Sequence, residues 1–154
     1  NFIDGFPARV LFDYAHNADG FREMCAVVSK IPVAGRRILY TRGLGQHSAA
    51  QFAEVAPLMA EHFDEFVISC GERFVVVCPD YESPDPVATM LWMSAARLRD
   101  AGVAAEAITT SGDRTEAIRT ALSRGWPGDL VVLLDDPNAA FPVIDGLRPP
   151  REQT

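Results

Sequence analysis

The sequence is poorest in lysine: Lys30 is the only one among 154 residues. A phosphate-binding P-loop needs Gly-x-x-x-x-Gly-Lys-Ser/Thr, and Lys30 stands in Val-Ser-Lys-Ile with no glycines before it, so no such loop is present. The arginines are scattered and acidic residues outnumber basic ones, 21 against 14, for a net charge of −7. Without a basic stripe to neutralise a phosphate backbone, nucleic acid is not expected as a partner. No apolar run approaches the roughly 18 residues of a membrane span, and the start shows no basic segment leading into an apolar stretch. The expectation is a cytoplasmic protein with no membrane partner. Cys25, Cys70 and Cys78 are odd in number and form no C-x-x-C pair, which argues for reduced thiols rather than a metal or redox motif.

What is present is an alternation of two periodicities. Residues 8–12, 37–40, 65–69, 74–78, 105–109 and 130–134 are short apolar runs that read as strands, the fourth of them joined to the third by a hairpin at Gly71-Glu72. Between them Phe21, Met24, Cys25 and Val28 recur at i, i+3, i+4, i+7, and Phe52, Val55, Ala56 and Met59 repeat the spacing, with Pro57 expected to kink that helix or delay its start. Residues 87–100 read as helical, and Asp113 sits three before Glu116 ahead of a helical face of Ala117, Ile118, Ala121 and Leu122. Leu130-Val-Val-Leu-Leu134 is an unbroken aliphatic run, as suits a central strand covered on both sides. Strands alternating with helices predict an α/β fold: a mostly parallel sheet of about six strands with helices on both faces.

In such sheets ligands bind outside the carboxyl ends of the strands. The first strand delivers Asp13-Tyr14-Ala15-His16-Asn17 there: a carboxylate that can accept from a ribose diol, an imidazole and an amide, all at the start of a helix. Asp13 and Asn17 could equally cap that helix. Arg42 follows the second strand and suits either a phosphate or solvent, while Glu72 and Arg73 follow the third. Asp135-Asp136 are adjacent and lack the further ligands a metal needs. His47 and His62 have no ligand-spaced partner and read as surface residues, and Trp92 and Trp126 read as core or interface aromatics.

Asp13-Tyr14-Ala15-His16-Asn17-Ala18-Asp19-Gly20 after an apolar strand resembles the Asp-Tyr-Ala-His-Asn-Pro motif that opens the C-terminal domain of the Mur ligase family. These are ATP-dependent amide ligases that include peptidoglycan ligases, folylpolyglutamate synthetase and cyanophycin synthetase. Glu116 to Leu122, then Pro127-Gly-Asp-Leu-Val-Val-Leu-Leu134, is similar to the end of that domain, in wording nearest to cyanophycin synthetase. The resemblance implies a Rossmann-like three-layer sandwich over residues 1–148, with 149–154 a disordered tail. It implies a domain cut from a longer chain that swings onto an upstream central ATPase domain holding the P-loop, the magnesium and a carbamylated lysine. Asp13, His16 and Asn17 would contact ATP, to which Arg42 is added from its place after the second strand, and the loop from Ser69 to Arg73, with Glu72 and Arg73, would touch the amino-acid substrate. The chemistry implied is activation of a carboxylate as an acyl phosphate followed by amine attack, and the fragment alone is expected to be inactive. Two departures stand out: Ala18 replaces the motif's proline, and Arg42-Gly-Leu-Gly-Gln-His47 replaces the Gly-x-Pro-Gly-Asp-Arg-Arg loop of cyanophycin-type members. The altered loop leaves open a non-catalytic Mur-like binding or interaction module, and a third alternative is an unrelated Rossmann-like fold.

Overall fold

The computed structural model describes residues 1–42, 49–70 and 85–150. Its elements are β1 (Phe2–Ile3), β2 (Arg9–Asp13), α1 (Ala18–Lys30), β3 (Arg37–Thr41), α2 (Ala49–His62), β4 (Glu65–Ser69), α3 (Pro86–Asp100), β5 (Ile108–Ser111), α4 (Arg114–Arg124), β6 (Leu130–Leu134) and α5 (Pro137–Leu147). The described strands form one sheet in the order β1-β2-β6-β3-β4-β5, parallel throughout except that β1 runs antiparallel along β2.

Alternation along each strand divides two cores between the two faces. Leu11, Leu39, Phe66, Ile68 and Val132 meet the buried stripes of α1, α2 and α3, including Phe21, Met24, Cys25 and Val28. Val10, Phe12, Ile38, Tyr40, Val131 and Leu133 meet α4 and α5. β6 is buried along its whole length because helices cover both of its sides, which is why it carries no polar residue.

Several sequence expectations shift. The weak strand begins three residues late: Ala105–Ala107 is a 3-10 turn, and pairing with β4 starts at Phe66↔Ile108. Pro57 lies inside α2 rather than at its start. β1 and α5 were not anticipated; α5 opens with the Asp136 side chain accepting from the Asn138 N–H at 2.8 Å and Pro137 in its first turn. Trp92 and Trp126 are not core residues, being 65% and 68% exposed. The expected strand at 74–78 and the hairpin at 71–72 lie outside the described residues, as does His47.

Candidate functional site

β2, β6 and β3 end side by side at one edge of the sheet. β2 and β3 hand the chain to α1 and α2 on one face, whereas β6 hands it to α5 on the other. Connections that part in opposite directions leave crevices beside β6, at the topological switch point of the sheet.

On the α1 side stands the Asp13–Asn17 segment. Alternation from Phe12, which faces α5, turns the half-buried Asp13 toward α1. Asn17 adopts the extended backbone of an N-cap, φ −140° and ψ 171°, and its Oδ1 accepts from the Gly20 N–H at 2.8 Å. The capping role therefore falls to Asn17, and its side-chain NH2 is left to donate outward. His16 is exposed; its Nδ1 lies 3.0 Å from the Tyr14 carbonyl and its ring 5.1 Å from the Tyr14 ring. A carbonyl can only accept, so that contact places the proton on Nδ1 and leaves Nε2 as the outward acceptor of the neutral ring. Asp13, His16 and Asn17 line one cavity of about 430 Å³, floored by Met24 and Val27 of α1. That volume falls in the range of small-molecule sites. A larger recess of about 610 Å³ lies at the opposite, amino end of the sheet between the β1–β2 connection and the end of α1. It lies away from the converging strand ends that carry the chemistry.

On the α4 and α5 side the edge is built around Asp135, which is fully buried. The Tyr40 hydroxyl donates to its Oδ2 at 2.8 Å and the Asp136 N–H to its Oδ1 at 2.8 Å. Burial, and then the neighbouring carboxylate, push the Tyr40 phenol far above its ordinary pKa, so it remains a donor. Arg42 Nη1 lies 3.8 Å from Oδ1 and Arg114 Nε 3.1 Å from Oδ2. Arg42 is thus not a solvated side chain: it is only 14% exposed. Strand order places Arg114 and Asp135 at the carboxyl edge of the sheet from the sequence alone, but assigns neither a role beyond a poor metal pair for Asp135, and Tyr40 carries no signal. The signal available was an aspartate ending the most buried strand of the chain. Glu72 and Arg73 lie outside the described residues. Among the described residues no group of three or more His, Cys, Asp and Glu could hold a metal ion, and no helix is long and apolar enough to cross a membrane.

Residues 1–134 match the profile of the family described as Mur ligase, glutamate ligase domain. The chain is 24% identical over 144 residues to a UDP-N-acetylmuramyl-tripeptide synthetase of Latilactobacillus sakei, covering 92% of this chain and 25% of that protein. It is 25% identical over 141 residues to a UDP-N-acetylmuramoyl-L-alanyl-D-glutamate–L-lysine ligase of Staphylococcus epidermidis, covering 91% and 25%. The chain therefore spans about a quarter of the length of these curated relatives. Among solved structures it is similar in fold to an E. coli FolC in complex with ADP, with a TM-score of 0.63 and 17% identity over 93% of this chain and 30% of that one. A UDP-N-acetylmuramoyl-L-alanyl-D-glutamate–2,6-diaminopimelate ligase also gives 0.63, at 14% identity over 95% and 31%.

Proposed function

Because the chain belongs to the Mur ligase, glutamate ligase domain family, we propose that it serves as the C-terminal domain of an ATP-dependent carboxylate–amine ligase. In this reading it closes over ATP and helps place the amino-acid substrate. The observation that carries it is the shared cavity of Asp13, His16 and Asn17 at the mouth of β2. There the Asp13 carboxylate would accept from the ribose hydroxyls, and His16 Nε2 and the Asn17 amide would meet the base. Arg42, across β6, would meet an anionic part of the bound ligands. Glu72 and Arg73 would touch the incoming amino acid. Magnesium and the grip on the γ-phosphate would come from an upstream ATPase domain, so that residues 1–148 are one moving domain followed by a short tail.

On the wording of residues 127–134 we place the chain with cyanophycin synthetase-like members, working in the cytoplasm. The ligand-facing work of this chain is orientation and exclusion of water. It supplies no clustered positive charge for the γ-phosphate, and alone it is expected to hydrolyse no ATP.

The test is a titration of the 15N-labelled chain with adenosine. The expected result is saturable shifts confined to residues 13–27, with a dissociation constant on the order of millimolar, about −4 kcal/mol, weakened several-fold by Asp13→Ala. Absence of any shift there, or shifts unchanged by Asp13→Ala, would overturn the assignment.

A further inference from the structure

The Asp135 cluster has more donors than acceptors. Its one carboxylate already accepts from Tyr40 and from the Asp136 N–H. Neither guanidinium beside it makes a directed hydrogen bond among the described residues: the Arg42 Nε is buried without a hydrogen-bond partner, and the Arg114 Nε has only its 3.1 Å ion-pair contact with Asp135 Oδ2. Ser69 ends β4, the next strand, and alternation from Ile68 turns it to the same face. Its hydroxyl is also buried and unpartnered, in a residue that is 1% exposed. Buried donors are nearly always satisfied in folded proteins, and donors gathered in one place without an acceptor among the described residues mark a place where an acceptor can bind.

The charge balance names the class of acceptor. Two guanidinium groups against one carboxylate leave a local charge of about +1, in a chain whose net charge is −7. Side-chain exposures of 14% and 28% keep both arginines out of bulk water yet at the open end of the sheet. Arginine's planar fork matches the paired oxygens of a carboxylate or phosphate. A hydroxyl such as that of Ser69 donates to either.

We infer that Arg42, Arg114 and Ser69 form an oxyanion-binding site on the α4 side of β6, with Asp135 as the positioning residue that holds the two guanidinium groups toward it. Asp135 lies at the end of a strand buried on both faces and is tied down by Tyr40 from β3, so it cannot swing away with either arginine. The inference takes from the proposed function only the notion that Arg42 meets an anion. The Asp13 cavity lies on the opposite face and plays no part in it.

The experiment follows the arginine Nε–Hε resonances of the 15N-labelled chain during titration with inorganic phosphate and, separately, malonate, at constant ionic strength set with chloride. The Arg42 and Arg114 signals are expected to move together and saturate, while Arg36 and Arg119 stay still. Arg42→Gln and Arg114→Gln should each weaken binding at least tenfold, and Arg119→Gln, on the exposed face of α4, should leave it unchanged. Saturation with phosphate alone identifies a phosphate group as the natural ligand, and saturation with malonate alone a substrate carboxylate; either supports the site. Uniform, non-saturating drift of all arginine signals, or saturation that survives both variants, would overturn it. Should one variant fail to fold, the wild-type resonances and the other variant still decide. An adenosine response at residues 13–27 with silent arginines defeats this inference and leaves the proposed function standing, and the reverse pattern does the opposite.

Discussion

The two ends of the sheet each hold a buried aspartate with arginine beside it, and they are finished differently. At the amino end Asp129, 6% exposed, accepts from the Arg36 backbone N–H at 2.7 Å, the Arg36 guanidinium at 2.8 Å and the Trp126 N–H at 3.0 Å. Arg36 also pairs with Glu65 and donates to the Arg124 carbonyl at 2.9 Å. Within this cluster donors and acceptors are matched, the neighbouring Arg37 Nε alone being buried without a hydrogen-bond partner, and the cluster ties the start of β3 to the turn before β6. At the carboxyl end Asp135 holds the same kinds of group, but the buried donors of Arg42 and Ser69 make no hydrogen bond and Arg114 Nε makes only an ion-pair contact with Asp135. A matched cluster is explained by folding alone, whereas a mismatched one at a switch point calls for a ligand.

Breaking each carboxylate in turn gives the largest expected effect. Asp129→Asn sets a side-chain NH2 against converging N–H donors and should cost about 3 kcal/mol. Asp135→Asn keeps an oxygen for Tyr40 and sets its NH2 against a single backbone N–H, that of Asp136, so a smaller loss of about 2 kcal/mol is expected. Denaturant unfolding of the two variants measures the difference; equal losses would erase the distinction drawn between the two ends.

Gly35 sharpens the amino end. Its backbone N–H donates to the Gly128 carbonyl at 2.9 Å, and Gly128 holds φ +99°, a conformation other residues rarely adopt. A Cβ on Gly35 would collide with Asp129 Oδ1 and lie 3.2 Å from the Gly128 backbone. Gly35→Ala is therefore expected to lose about 2 kcal/mol by overpacking, while leaving the Arg42 and Arg114 resonances in place. Thermal unfolding and one arginine spectrum check both halves.

The smallest effect is in pH. Burial alone would raise the Asp129 pKa, but the hydrogen bonds from Arg36 and the Trp126 N–H outweigh it and hold the carboxyl below its ordinary value. A carboxyl lowered in the folded state stabilises above its unfolded pKa, about 3.9, and that contribution fades as pH falls through the lower folded value. The stability gap between wild type and Asp129→Asn should thus be constant from pH 7 to about 5 and narrow below about 4. A gap that stays constant to pH 2 would contradict the assignment of the shift to the folded state.

What could be read in advance follows from the range of each signal. The α1 stripe, the doubly covered β6 and the Asp113 cap, whose Oδ1 accepts from the Glu116 N–H at 3.0 Å, are local patterns, and each appears where its spacing put it. β1 is too short for a period to register. α5 carries Pro142 in its interior, which breaks the propensity that would announce it. The sequence could bring Asp13, His16 and Asn17 together because five consecutive residues hold them. It could not assemble the Asp135 cluster, since Tyr40 and Asp135 are 95 positions apart and meet only because β6 inserts beside β3.

That insertion also governs how the chain reaches its fold. β2 and β3 are not neighbours; the strand between them is the last of the described strands to occur in the sequence. While the chain is being made, β2 with α1 and the β3-β4-β5 unit can each gather locally, and α1 can pack on α2, but no strand hydrogen bonds join β2 to β3 across the gap. Closure waits for residues 130–134, whose partners lie across most of the chain, and such distant pairings make folding slow. Until then the inner edges of both half-sheets stay open, and a ribosome or chaperone that shields them would act during the interval before β6 arrives.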